Sequence, residues 1–345
     1  MATISYADLV SFGKQLLLTL GFSEADSRYI SETAAFTEAG GVHTHGAIVF
    51  ANIESQCGSA IDPAAQPVIV NERPATALLD GQRVAGGACL RVATGLAAQK
   101  ARNCGSAVVS ARNTSWIGGL GAYLAPLARN GFFAQLTAQS CACKDAAPYG
   151  GIDPVFSTNP MAFAFPSEPD PVIADFSTSA MSMGKVNTLA KAGKTSSQPA
   201  FLTSNGELTA DPNALLNGGA MLPAGGDFDG HKGFALTLWI EALTAMAGGS
   251  CNNPLVEQRQ SFTLTVIDPG AFGDKDWYES EVRRMTGRVR SGRRRKGFDA
   301  IRLPGERMLT QAAKSKRDGI DMPESTVRKL NEIAKKREIE PLVGQ

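Results

Sequence analysis

Histidine is scarce in this chain: three among 345 residues. Long apolar runs are missing. With no stretch of ~18 or more apolar residues, no segment reads as a bilayer span. The start, MATISYADLV, has no basic region followed by an apolar stretch, so no secretory leader is expected. An excess of either charge is missing too. Net charge is +1, which gives no global pull toward nucleic acid or a membrane surface. Cysteines are few and scattered: Cys57, Cys89, Cys104, Cys141, Cys143 and Cys251. That usage points to reduced thiols and a cytoplasmic location, not to a disulfide framework.

Several catalytic signatures are also missing. There is no Gly-x-Ser-x-Gly, so a nucleophile elbow has no support. There is no Gly-x-x-x-x-Gly-Lys-Ser/Thr, and no Gly-x-Gly-x-x-Gly between a strand and a helix. GGLGAY at 118–123 is glycine-rich but has the wrong spacing. A standard dinucleotide turn is therefore unsupported. Cys141-x-Cys143 lacks the Cys-x-x-Cys spacing of zinc sites.

What is present is an ordinary globular composition, 43% apolar and 19% charged. The length suggests two domains, though one large domain is possible. Paired glycines recur among the 36, marking tight turns or close backbone approach. Residues 5–39 read as two helices. Ser5 and Ser23 are the cap candidates, and Gly21 and Gly40 the stops. From about 66 to 175 short β-rich runs dominate: PVIV, ATALLD, SAVVSA, FFAQLTAQ, MAFAFP and PVIADF. Two helices interrupt them, GGACLRVATGLAAQKARNCG and GLGAYLAPLARNG. GFALTLWIEALTAMAGG at 233–249 reads as an apolar, buried helix. SFTLTVIDPGAF reads as another strand, and two polar helices follow to the end. The pattern is mixed α/β without regular strand–helix alternation, so a doubly wound parallel sheet is not favoured. Eight Lys/Arg fall between Glu281 and Gly297. This cluster reads as a solvated loop, a phosphate loop or a nucleic-acid patch. The last is disfavoured, because no aromatics interleave.

Two of the three histidines lie together in GGVHTHGAIVF, just past a helix end. Three readings of His43 and His45 are open: metal ligands, a proton-transfer pair, or residues of a structural junction. A hydrolytic metal site needs further histidines, and His231 alone remains. A histidine near its ordinary pKa of about 6.5 is a common acid or base, and the Thr44 hydroxyl could share its proton.

Six segments occur in order: HTHG at 43–46, RNTSWIGGLGAY at 112–123, STNPMAFAFP at 157–166, IADFSTSAMSMGKV at 173–186, GHKGFALTLWIEAL at 230–243 and RLPGER at 302–307. Together the chain resembles the malate/L-lactate dehydrogenase family of the second type over nearly its whole length. That family includes ureidoglycolate, sulfolactate and hydroxycarboxylate dehydrogenases and cyclic imino-acid reductases. The resemblance implies a non-Rossmann α/β nucleotide-binding fold. Residues 1–75 and 305–345 would form a helical cap and dimerisation region, and 76–304 the nucleotide- and substrate-binding core. It also implies a homodimer and an NAD or NADP cofactor.

Matched position by position, the family's Ser-His-Gly falls on Thr44, His45 and Gly46. His45 is the expected proton carrier with Thr44 as partner, and His43 an expected substrate neighbour. Ser157, Thr158 and Asn159, then Asp175, Phe176 and Ser177, match cofactor-contacting stretches. His231 and Lys232 match another, and Lys185 is placed with them. Lys144 falls near a lysine that some members use on substrate or cofactor. Arg293, Arg294 and Arg295 precede the Pro304-Gly305-Glu306 turn and are expected phosphate contacts; they lean the choice toward NADP.

Two departures stand out. Trp116 replaces a histidine that many members use as a proton carrier, and an indole cannot trade protons at neutral pH. Lys185 stands where the imino-acid reductases complete a Ser-His-Asp relay. The implied activity is hydride transfer between nicotinamide and C2 of a small 2-oxo or 2-hydroxy carboxylate. The alternatives are reduction of a cyclic imine such as Δ1-pyrroline- or Δ1-piperideine-2-carboxylate, and a homologue that binds nucleotide without turnover.

Overall fold

The structure is a computed structural model that describes residues 1–248 and 259–344. The chain opens with β1 (Ala2–Ile4), α1 (Tyr6–Leu20), α2 (Glu24–Ala39) and α3 (Ile48–Gln56). Ser5 and Ser23 cap α1 and α2, accepting hydrogen bonds from the Asp8 and Asp26 N–H groups. Each satisfies one of the donors that a helix start leaves unpaired. Gly21 ends α1 in the left-handed region, φ 99°, where a side chain would be strained.

The hairpin β2 (Val68–Arg73) and β3 (Thr76–Asp80) comes next, then α4 (Gly86–Cys104) and β4 (Ser106–Thr114). β3 and β4 pair in parallel, so α4 is the crossover helix that such a pair requires. α5 (Gly121–Arg129), β5 (Phe133–Ser140), β6 (Pro160–Phe165), β7 (Val172–Ser177) and α6 (Met183–Lys191) follow. A small lobe holds β8 (Phe201–Leu202), β9 (Leu208–Thr209), α7 (Asn213–Leu216) and β10 (Ala220–Met221). The chain ends with α8 (Gly226–Ala245), β11 (Gln260–Ile267), α9 (Lys275–Arg290), α10 (Glu306–Asp318), β12 (Ile320–Met322) and α11 (Glu324–Arg337).

The main sheet has the order β2-β3-β4-β11-β5-β6-β7. Every pair except β3–β4 is antiparallel. β11 arrives late in sequence yet sits at the centre, which is why strands and helices do not alternate along the chain. β1 pairs antiparallel with β12, tying the first residues to the end of α10. One apolar core runs through both regions. Leu9, Leu16, Phe50 and Leu330 of the terminal helices share it with Val109, Leu136, Phe262 and Leu264 of the sheet. Fully burying each such side chain stabilises the fold by roughly 1.5–3 kcal/mol. A second, smaller core lies under the small lobe, built on Phe156, Met181, Val186, Phe201 and Met221.

The helix expected over 233–249 differs in two ways. α8 begins at Gly226, and its surface is not buried all round. Gly230, Gly233, Thr237, Ile240, Glu241 and Thr244 face the protein, while Phe228, Leu236, Leu238 and Trp239 are exposed. Gly233 explains the choice of face: a Cβ there would lie 2.3 Å from the Ala224 carbonyl oxygen. The small residues allow close approach, and the large apolar ones are left outside. Gly249, the last residue of the expected helix, and Cys251 lie outside the described residues. Among the described residues no helix is long and apolar enough to cross a membrane.

Candidate active site

The sheet register brings one set of strand ends together. Gln260 at the start of β11 pairs with Thr114 at the end of β4 and with Ser140 at the end of β5. Pro160 at the start of β6 pairs with Ser177 at the end of β7. A cleft of about 1150 Å³ opens over this end of the sheet, and Ser140, Pro160, Ser177 and Gln260 line it.

His45 enters the cleft from the turn between α2 and α3. Its N–H donates to the Val42 carbonyl at 3.0 Å, and Gly41 supplies the positive φ, 80°, that starts the turn. His45 Nδ1 shares a hydrogen bond with Thr44 Oγ1 at 2.9 Å. Burial lowers the His45 pKa, holding the ring neutral at neutral pH. Thr44 in turn rests on α6: a Cβ at Gly184 would lie 2.6 Å from Thr44 Cβ. Trp116 stacks beside His45 in a tilted pair and lines the same cleft.

His43 does not line the cleft. Its Nδ1 lies 2.6 Å from Glu38 Oε1, and that hydrogen bond, working against burial, raises the His43 pKa. The two histidines are therefore driven toward opposite charge states. Among the described residues no group of three or more His, Cys, Asp or Glu could hold a metal ion.

The other expected residues divide into two sets. Ser157, Thr158, Asp175, Phe176, Ser177 and Lys185 line the cleft with Thr44, His45 and Trp116. Asp175 accepts the Gly121 N–H at 2.8 Å, at the start of α5. It keeps surface open to the cleft, yet the protein packed around it raises its pKa to about 6. Asn159 is a buried strut: Ser157 Oγ donates to its Oδ1 at 2.5 Å, and its Nδ2 donates to Glu241 Oε1 at 2.7 Å.

The remaining residues are not brought to the cleft. Lys144 is exposed, although its neighbours Cys143 and Asp145 line the cleft. His231, on α8, packs edge-on against Tyr149, and Lys232 pairs with Asp229 at 2.7 Å. Arg293, Arg294 and Arg295 lie on an exposed loop. Arg294 donates to the Asp299 carbonyl, and Arg295 sits over the Phe298 ring.

Sequence reasoning missed Gln139, Ser140, Asp145, Gln260 and Arg307, all of which line the cleft. Burial raises the Asp145 pKa to about 6. Arg307 was legible in principle: it closes the RLPGER segment and lies in the first turn of α10, just after Gly305. Nothing in sequence singles out Asp145, which lines the cleft beside Ala146, itself bridged to Phe156 and Met221.

The chain matches known proteins in sequence and fold. The family model described as malate/L-lactate dehydrogenase matches residues 4–331. Malate dehydrogenase from Pyrococcus horikoshii is 28% identical over 97% of this chain and 95% of the relative. The Δ1-pyrroline-2-carboxylate/Δ1-piperideine-2-carboxylate reductase from Pseudomonas putida is 29% identical over 96% of each. The solved structure of the Pyrococcus horikoshii malate dehydrogenase superposes with a TM-score of 0.90 at 26% identity, covering 99% of this chain and 97% of that one. On this match the chain is an oxidoreductase and belongs to the malate/L-lactate dehydrogenase family.

Proposed function

We propose that the protein transfers hydride between a nicotinamide dinucleotide and C2 of a small 2-oxo or 2-hydroxy carboxylate. One observation carries this reading. A half-buried histidine, its pKa lowered by burial and its ring hydrogen-bonded to a threonine, faces a cleft large enough for a dinucleotide and a small substrate together.

The donor set fits such a cofactor. Arg307 and the N-terminus of α10 meet the cleft, and a helix N-terminus favours phosphate. The hydroxyls of Ser157, Thr158 and Ser177 on the cleft offer hydrogen bonds. Arg307 leans the choice toward NADP, because a 2′-phosphate adds negative charge. When bound, the nicotinamide supplies or accepts the hydride.

The chain's own work is proton transfer and positioning. In reduction, His45 donates a proton to the developing alkoxide; in oxidation, neutral His45 takes the hydroxyl proton. Thr44 fixes which ring nitrogen is free. Trp116 walls the site and excludes water from one side of His45. A substrate carboxylate pairs with Lys185, which lines the cleft and follows the Gly184 that packs on Thr44.

Trp116 and Asp145 favour a second reading, reduction of a cyclic imino acid. An iminium nitrogen arrives already protonated, so a second proton carrier is not required. Its positive charge also suits the Asp145 carboxyl group. One assay tests both readings. NADPH and NADH are offered separately with a panel of 2-oxo acids and cyclic imino acids while nicotinamide absorbance is followed. Cofactor fluorescence is titrated in the same buffer. Turnover of either class supports its reading; no cofactor binding sinks both.

A further inference from the structure

The turn that carries His45 is gripped from outside by a buried carboxylate. Glu38 sits in the last turn of α2, and its side chain has no exposed surface. Oε1 holds His43 Nδ1 at 2.6 Å, and Oε2 accepts the Ala47 N–H at 2.8 Å. His45 lies between these two anchor points.

Two further observations show how closely the turn is fitted. α3 starts after Ala47, which offers no side-chain cap of its own. Glu38 accepts the Ala47 N–H from nine residues back and places a carboxylate at the positive end of α3. A Cβ at Gly46 would fall 2.2 Å from Glu38 Oε2 and 2.7 Å from Glu38 Cα. The turn therefore lies directly on Glu38, with no room for a side chain. The carboxylate needs the turn as much as the turn needs it, because a buried charge without partners is costly.

We infer that Glu38 is the positioning residue of the His45 turn, anchoring it at His43 and Ala47 so that the imidazole keeps one orientation toward the cleft. This rests on the reading of His45 as proton carrier. Glu38 acts through the backbone and His43 and does not touch the reacting atoms. The same geometry accounts for His43, which is the strut that the carboxylate holds.

Two near-isosteric variants test the inference. Glu38→Gln keeps both hydrogen bonds, since the amide oxygen can accept from Ala47 and the amide nitrogen donate to a neutral His43. Glu38→Met fills the same space and removes both. Turnover is normalised to NADPH-binding sites per chain, counted by fluorescence titration. The expected result is a kcat per site within about threefold of wild type for E38Q. For E38M it is about tenfold lower or more, with NADPH Kd unchanged. E38M at the wild-type rate per site overturns the inference. Loss of NADPH sites in step with rate in both variants also overturns it, because that marks a merely structural role. His45→Ala is measured beside them. Unchanged turnover in H45A refutes the proton-carrier reading itself, a result separate from E38M failing while H45A is inactive.

Discussion

The His45 and Trp116 rings lie 5.5 Å apart between centroids, tilted by 43°. Behind them is a small, mostly apolar pocket with Ile30, Val49, Ile53 and Ile117 on its walls. Together these side chains dry the imidazole, and this is the cause of its lowered pKa. With an indole opposite it, His45 has no second imidazole with which to divide proton transfer. His45→Ala should therefore cut turnover by roughly 100-fold or more. Cofactor fluorescence should still titrate normally. Turnover near the wild-type rate would remove His45 from the mechanism.

The lowered pKa sets the direction of the pH dependence. If His45 carries the proton as proposed, reduction needs its protonated form, and kcat/KM for a 2-oxo acid should rise as pH falls from 8 toward 6. Oxidation needs neutral His45, so its rate should be level above neutrality and fall in acid. Asp145 and Asp175 titrate near pH 6 on the same cleft, which makes the comparison with H45A necessary. The limb that disappears in H45A is the one that belongs to His45. A wild-type reduction profile that climbs with pH instead would contradict this assignment.

The two histidines should also affect stability in opposite senses. The raised pKa of His43 means that its stabilisation is fully present below the unfolded value of about 6.5 and is lost as pH rises through the folded value. His45, with its pKa lowered, loses stability as pH falls below about 6.5. Because His43 is one-third exposed, its share is discounted to about 1 kcal/mol or less. His43→Gln should lower Tm by roughly 1–3 °C at pH 6 and much less at pH 9. An equal drop at both pH values would show that the Glu38 pair contributes nothing through charge.

Cofactor affinity separates two sets of arginines. Arg307→Ala removes a cation from the cleft wall and should weaken NADPH binding by roughly 5–30-fold, the range of a charge-assisted hydrogen bond at a partly open site. Replacing Arg293, Arg294 and Arg295 together by alanine should change it by no more than about twofold at moderate salt, because these side chains are exposed, do not line the cleft and are screened by salt. Fluorescence titration of both variants checks this. A large loss in the triple variant would mean that the loop reaches the cofactor in the bound state.

The contrast between these arginines shows what sequence can and cannot carry. Local signals were legible: Ser5 and Ser23 cap the helices they precede, and Gly21 stops one. Collinear motifs were legible too, and most of their central residues do meet at one end of the sheet. What the motifs could not give is distance. RRRK precedes the PGER turn closely in sequence, yet it lies on an exposed loop, while Arg307 of that same turn lines the cleft. His231 and Lys232 sit in a matching segment, but α8 turns them toward Tyr149 and Asp229. Glu38 gave no signal at all. A glutamate in a helix reads as solvent-facing, and its burial appears only when the following turn folds back onto it.

α8 leaves the final relationship to be tested. Leu236, Leu238 and Trp239 are all more than a third exposed on a helix whose inward stripe is small and polar. Exposed apolar side chains grouped on one helix are a common feature of interaction surfaces. A homodimer implied by the family likeness would provide the partner, and an exposed tryptophan is the residue type that anchors such contacts. Trp239→Arg should weaken self-association by roughly 2–4 kcal/mol, or about 30–1000-fold in the dimer dissociation constant. The protomer's own fold should be little affected, because the indole is 40% exposed. Sedimentation velocity across a concentration series reads this directly. A wild-type protein that sediments as a monomer throughout would mean that α8 is not the contact.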